Sequence, residues 1–357
     1  MTSLPGFTAL PDLASRKLGG SVVAANDELF AEKENLIKPE PPAFDPSDYG
    51  HKGKVYDGWE TRRRRELGHD HAIVRLGVPG IVRGVVVDTS FFRGNYPPQV
   101  SVEAVNANGY PSPAELTEMN WRPLAEKADA LGDTANFYAV ASPRRWTHVR
   151  LSIYPDGGVA RLRVHGEPVP DPAFLAGTAD LAALENGGQV VDCSDAFYGS
   201  AINLIMPGVA RSMADGWENA RRRDAGHDYV TVALAGSGNV RHVEIDTSYF
   251  VGNAPGSARL LAASLRPYDA RAPGVVLAGG APSIPVDLPW REFLPRTRLQ
   301  PDTRHRFMVA SIEPVTHVRL EVFPDGGVSR LRIPGELTVD ALAGLRERYQ
   351  EASGGPR

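Results

Sequence analysis

The sequence predicts an all-β chain of two tandem jelly-roll β-sandwich domains related by internal duplication. Three observations carry this. Apolar residues recur at a period of two in every well-patterned segment. The chain holds 36 Gly and 30 Pro, which favours many turns and short strands over long helices. Nearly the whole chain is also written twice.

The duplication runs in order along the chain. DLASRKLGGSVVAANDELF from Asp12 aligns with DLAALENGGQVVDCSDAFY from Asp180. DGWETRRRRELGHD (Asp57–Asp70) aligns with DGWENARRRDAGHD (Asp215–Asp228), ten of fourteen positions being identical. VVVDTSFFRGN (Val85–Asn95) then matches VEIDTSYFVGN (Val243–Asn253), and HVRLSIYPDGGVARLRVHGE (His148–Glu167) matches HVRLEVFPDGGVSRLRIPGE (His317–Glu336). Length changes fall between these blocks, where loops absorb them cheaply. The expected division is residues 1–168, a linker over 169–179, and residues 180–357 with a C-terminal helical tail.

Within each copy the strands follow from alternation. Ala72, Val74, Leu76 and Val78 share one face, with His71, Ile73, Arg75 and Gly77 on the other. Val230, Val232 and Leu234 keep that inner face in the second copy. Val85 and Val87 recur as Val243 and Ile245, and Val149, Leu151 and Ile153 recur as Val318, Leu320 and Val322. Tyr154–Gly158 and Phe323–Gly327 read as hairpin turns, the prolines setting φ and the glycines supplying positive φ. Leu162 and Val164, or Leu331 and Ile333, then alternate with arginines. Helix is expected only near Ser21–Lys38 and in the tail DALAGLRERYQEA.

Composition excludes several classes. A formal charge of −4 provides no global basic field, so no nucleic-acid partner is expected and the arginine runs are local features. The single cysteine, Cys193, rules out an internal disulfide framework and suits a reducing compartment. The N-terminal stretch lacks a continuous apolar core and no segment is apolar enough to span a bilayer, so the expectation is a cytoplasmic protein with no membrane partner. Self-association into a homo-oligomer is left open.

The doubled charged motif carries the chemistry. If it enters a strand, Trp59, Arg63 and Arg65 lie on one face and Glu60, Arg62 and Arg64 on the other. Arg63, Arg64 and Arg65 recur as Arg221, Arg222 and Arg223, whereas Arg62 is replaced by Ala220 and reads as a solvated surface charge. Two readings stand for the retained arginines. One is a guanidinium clamp on a small carboxylate. The other is an internal lattice with Glu60 or Asp70 that pins the loop.

Gly-His-Asp places His69 beside Asp70 and His227 beside Asp228, a titratable imidazole next to a carboxylate. No metal is expected: His71 would complete a ligand trio, but Tyr229 stands there in the second copy. Asp88–Ser90 and Asp246–Ser248 end strands and lead to Asn95 and Asn253; they read as pocket lining or as turns satisfying their own backbone. Trp121 and Trp290 read as packing residues, in a core or between domains. No Ser-His-Asp, Cys-His, P-loop or dinucleotide fingerprint occurs in a fitting context.

These strings, over essentially the whole chain, resemble the allantoicase family. The resemblance implies two galactose-binding-like jelly rolls and hydrolysis of allantoate to (S)-ureidoglycolate and urea in purine degradation. No cofactor is predicted, and divalent-metal dependence is left open. Release of intact urea requires cleavage at the aminal carbon, because attack on a ureido carbonyl gives carbamate and ammonia. Residue chemistry then offers Arg63, Arg65, Arg221 and Arg223, with Asn95 and Asn253, as substrate binders. His69 and His227 are the first choice as general acid, and Glu60, Glu218, Asp70 and Asp228 as base. The competing class is a jelly-roll binding module for sugars or small ligands, or a hydrolase of a related ureide. The copies differ at Thr61/Asn219 and Arg62/Ala220, which leaves open whether both are catalytic.

Overall fold

The long strand Asp70–Asp88 organises the first unit. The computed structural model describes residues 4–265, 288–309 and 313–354. It forms two compact units, the first built on Met1–Val169 and the second on Pro170–Gln350. The N-terminal half of the long strand pairs antiparallel with Ser21–Ala25 and with Arg145–Tyr154, which in turn pairs with Gln99–Val105. Its C-terminal half, beyond an irregularity between Arg75 and Gly80, pairs with Arg161–Pro168 and Ala135–Ala139. One strand thus serves both layers of a sandwich. In the second unit the counterpart is split into Asp228–Val240 and His242–Asp246, which lie in separate sheets. Two antiparallel jelly-roll sandwiches are therefore present, as the repeat and the alternation require.

The alternation places the core with one correction. Ala72, Val74, Leu76 and Val78 are buried, but so is Ile73 on the face expected to drift outward. It packs in a second cluster with Val105, Ala107, Leu116 and Trp121, so a short helix at Pro113–Thr117 covers that face. Trp121 is core packing. Trp290 is half-buried, with the Arg319 guanidinium 4.8 Å from its ring.

Two further expectations change. The segment from Ser21 to Lys38 is not one helix. Val22 and its neighbours form the strand Ser21–Ala25, because β-branched residues fit the pleat beside Asp70–Asp88, and only Lys33–Ile37 is helical, as a 3-10 turn. The tail helix Val339–Ser353 is present as expected.

The Pro-Asp-Gly-Gly segments are also not hairpins. After Tyr154 the chain pairs Gly158 with Glu60 and Val159 with Trp59, then continues as Arg161–Pro168 against the other half of the long strand. The turn carries the chain between layers, where Leu162 and Val164 are fully buried. Gly157 and Gly326 have φ of 142° and 129°, as positive-φ glycines should. Gly158 and Gly327 are needed for a different reason: a Cβ there would lie 2.1 Å from the Phe92 ring or 1.9 Å from the Phe250 ring.

The arginines after the turn point inward. Arg161 donates to the carbonyls of Glu40 and Asp57 and to the Asp57 carboxylate, fixing the residue that opens the charged motif. Arg330 does the same for the second motif through the Asp215 and Asn203 carbonyls, and burial lowers its pKa to about 10.

Candidate functional site

Of the charged motif, Trp59 and Glu60 are in strand and Asp70 opens the long strand; the residues between them, arginines included, form an irregular loop, so the predicted two faces of arginines do not form. Trp59 is fully buried and its indole N–H donates to the Asp27 carbonyl at 2.8 Å, an anchor repeated by Trp217 and Asp195 at 2.7 Å. Carboxylates hold the loop's backbone. The Arg62 N–H donates to Asp27 (2.9 Å) and the Arg64 N–H to Asp156 (2.8 Å), mirrored by Ala220 with Asp195 and Arg222 with Asp325, both 2.7 Å. Backbone contacts tolerate Arg or Ala at this position. Arg62 itself is exposed yet pairs with Asp27.

Thr61 and Asn219 differ in type but not in task. The Gly157 N–H donates to Thr61 Oγ1 at 3.2 Å, and the Gly326 N–H donates to Asn219 Oδ1 at 2.8 Å. Each ties the charged loop to the Pro-Asp-Gly-Gly turn.

The retained charges separate into three groups. Arg64 Nη1 donates to Asp70 Oδ1 at 2.7 Å, and Asn26 Nδ2 donates to the same oxygen at 2.8 Å. Asp70 is 1% exposed. The pair is monodentate: among the described residues Asp70 Oδ2 and Arg64 Nε have no partner, and Asp228 Oδ2 is unpaired in the same way. Asp228 receives Arg222 Nη1 at 2.8 Å and Ser194 Oγ at 2.9 Å. The lattice reading therefore describes Arg64 and Arg222.

Arg63, Arg65, Arg221 and Arg223 are exposed and form no ion pair among the described residues. Arg63 and Arg65 line a cavity of about 460 Å³ with Arg62, Arg64, Asn26, Glu66 and Asp70.

The third group is Glu60 with Asn95. Asn95 Nδ2 donates to Glu60 Oε1 at 2.6 Å, and Asn253 to Glu218 at 2.5 Å. The sequence marks both residues as candidates without linking them. Burial pushes the Glu60 carboxyl up, against the lowering effect of the Asn95 hydrogen bond. Neither Glu60 nor Asn95 lines the arginine cavity or the cavity around His69.

That second cavity, about 620 Å³, is the main feature of the first repeat. His69, His71, Arg64, Arg150, Lys127 and Tyr154 contribute to its wall, and Asn26 and Arg64 are common to both cavities. The His69 ring lies 4.8 Å from that of Tyr154, whose hydroxyl is 3.0 Å from Ser101 Oγ. Lys127 sits 4.1 Å over the same tyrosine, and Arg150 pairs with Glu103 at 2.7 Å. Burial first, then the Arg150 and Arg64 charges, holds His69 below the ordinary imidazole value; burial and Arg150 lower His71 too. Ser101, Glu103, Lys127, Arg150 and Tyr154 were not singled out from the sequence. Arg150 alone is kept between copies, and its strand-pair partner Glu103 lies outside every repeated block.

Other doubled residues are structural. His148 and His317 are buried beside Thr147 and Thr316, and burial brings each to about 4, helped by Arg75 for His148. Asp88 and Asp246 accept the N–H and hydroxyl of Ser90 and Ser248, the self-satisfying turn. Among the described residues no group of three or more His, Cys, Asp or Glu is arranged to hold a metal ion.

The allantoicase repeat family matches this chain twice, over residues 11–169 and 179–338. A probable allantoicase of Nocardia farcinica is 55% identical over 93% of this chain and 96% of its own length. One of Streptomyces coelicolor is 50% identical over 98% and 91%. The crystal structure of allantoicase from Saccharomyces cerevisiae superposes with a TM-score of 0.77 at 33% identity, covering 91% of this chain and 92% of that one. With both repeats matched and the relatives covered almost end to end, the chain belongs to the allantoicase family.

Proposed function

We propose that this chain is an allantoicase, hydrolysing allantoate to (S)-ureidoglycolate and urea, with the cleft around His69 as a reaction site. The observation that carries the reading is the match of both repeats to one family, over sequence that includes every residue of the cleft's arginine loop. The cleft's chemistry fits the substrate. Allantoate has one carboxylate and two ureido arms on one carbon. Arg63 and Arg65 line the adjoining cavity, which shares Asn26 and Arg64 with that of His69; exposed and without carboxylate partners among the described residues, they supply planar forks for the carboxylate.

His69 starts neutral, because burial and two guanidinium charges disfavour its imidazolium. It therefore begins as a proton acceptor rather than the acid first expected. It takes the N–H proton of one ureido arm and returns it to the departing nitrogen of the other. The C–N bonding pair leaves with that nitrogen, releasing urea and a carbon–nitrogen double bond on the retained arm. Water adds to the carbon and its proton goes to the imine nitrogen, giving ureidoglycolate. Asp70 acts as a positioning residue that holds Arg64, and Glu60 with Asn95 braces the base of the loop.

Cys193 is half-buried, with its thiol pushed up to about 11 by burial, which suits a cytoplasmic protein with a reduced cysteine. No helix among the described residues is long and apolar enough to cross a membrane.

Urea release from allantoate tests the function. The Arg63→Ala/Arg65→Ala double variant is expected to raise KM for allantoate at least tenfold. An unchanged KM removes these arginines from carboxylate binding, and no urea from the wild-type chain removes the activity.

A further inference from the structure

The two repeats place corresponding residues in register, so their clefts compare position by position. Ser101 faces Ser152 across the strand pair under His69 in the first repeat; Arg259 faces Glu321 at the same place in the second. Ser101 helps line the open cavity. In the second repeat Arg259 Nε donates to Glu321 at 2.6 Å, and Glu321 also lies 3.5 Å from His227 Nε2. Two small hydroxyls have become a long ion pair seated against the histidine.

The arginine differs in the same sense. The Arg64 guanidinium meets one carboxylate, Asp70, and its Nε has no partner among the described residues. Arg222 meets two, because Asp224 stands where the first repeat has Glu66: its Nε and Nη2 donate to Asp224, both at 3.0 Å, and its Nη1 to Asp228 at 2.8 Å. One further contact differs, since Arg150 pairs with Glu103 whereas Arg319 faces Leu261 and bonds Thr231 and Asp192, and the ring contacts are matched. His69 lies tilted against Tyr154 as His227 does against Phe323, and Lys127 covers Tyr154 as Arg296 covers Phe323, each cation 4.1 Å from the ring.

From this we infer that turnover belongs to the first repeat alone, and that the corresponding groups of the second are occupied by its own side chains. The inference rests on reading the cleft as the allantoate site. A ligand entering at His227 has to displace the Arg259–Glu321 pair, and Glu321 is buried. Removing the arginine from that carboxylate leaves a buried charge with a histidine as its remaining neighbour, which opposes binding. The first repeat has its own ion pair in the cavity wall, Arg150 with Glu103, but among the described residues no carboxylate lies within ion-pair distance of His69 as Glu321 does of His227.

The test uses the full-length chain and continuous measurement of urea from allantoate. His69→Ala is expected to lower kcat about 10²–10⁴-fold, as for loss of a proton-transfer group. His227→Ala is expected to stay within about twofold of wild type. A second pair guards against misfolding. Ser101→Arg, which brings the second repeat's arginine to the open cavity, is expected to abolish most turnover; because Ser101 is buried against Ser152, the double variant Ser101→Arg/Ser152→Glu, which supplies that arginine's partner, is expected to be as inactive while circular dichroism stays close to wild type. Arg259→Ser, which opens the other side, should leave the rate unchanged. Equal losses in His69→Ala and His227→Ala, or full activity in Ser101→Arg, would overturn the inference while leaving the allantoicase reading intact. No urea from the wild-type chain would instead remove the reading on which it rests.

Discussion

Gly158→Ala sets the packing around the charged loop against a matched control. The new methyl carbon would lie 2.1 Å from Cδ1 and from Cε1 of Phe92. Phe92 is 1% exposed and its N–H is bound to the Thr89 carbonyl, so the ring has little freedom to withdraw. Overpacking of this kind costs about 1–3 kcal/mol, and a contact this short on a fixed ring belongs at the upper end. For a unit of this size about 3 kcal/mol corresponds to a fall of roughly 6–12 °C in melting temperature. The same substitution at Gly94 meets nothing within 4 Å and is expected within about 0.5 kcal/mol of wild type. Both glycines recur in the second copy, as Gly327 and Gly252, so repetition does not distinguish them and geometry does. The effect should reach the site. The Gly158 N–H donates to the Asn95 carbonyl at 2.7 Å and Gly158 pairs with Glu60, so displacing it loosens the Glu60–Asn95 bond and slows urea release. Differential scanning calorimetry and the urea assay read the two consequences. Phe92→Leu in the Gly158→Ala background should recover part of the lost stability. An unshifted Gly158→Ala transition, or a Gly94→Ala transition shifted as far, would refute the argument.

Two further outcomes follow from the cleft and its frame. Since His69 works unprotonated and lies below the ordinary imidazole value, kcat/KM should fall on the acid side only below about pH 6.5. Arg150→Gln removes a lowering charge and frees Glu103, so the acid limb should move to higher pH; a limb that stays or moves down contradicts the assignment. Thr61→Asn should be nearly neutral, because Asn219 holds the equivalent glycine N–H, whereas Thr61→Val should cost about 1 kcal/mol by orphaning the Gly157 donor, measured by chemical denaturation.

The duplication and the alternation made the sandwiches legible because burial in a strand obeys a local period, and Val149, Leu151 and Ile153 satisfy it residue by residue. The Pro-Asp-Gly-Gly turn misled for a non-local reason. Its residues specify a reversal, but which strand the chain meets next depends on where Leu162 and Val164 find an apolar face, and that face is the far half of Asp70–Asp88. Thr61 and Asn219 misled differently: a hydroxyl and an amide oxygen accept the same hydrogen bond, so a change of letter conceals a constant interaction.

The cleft exposes a deeper asymmetry in reading a duplicated chain. Many residues held in both copies are those the fold requires twice, and Trp59, Asp70, Arg161 and His148 all prove to be anchors with counterparts in the second repeat. A reaction performed once needs its determinants once. Ser101, Glu103 and Tyr154 stand opposite Arg259, Leu261 and Phe323, so a comparison that ranks positions by sameness discards them. Their role appears only when cross-strand register shows that Ser101 and Ser152 leave open the place that Arg259 and Glu321 fill.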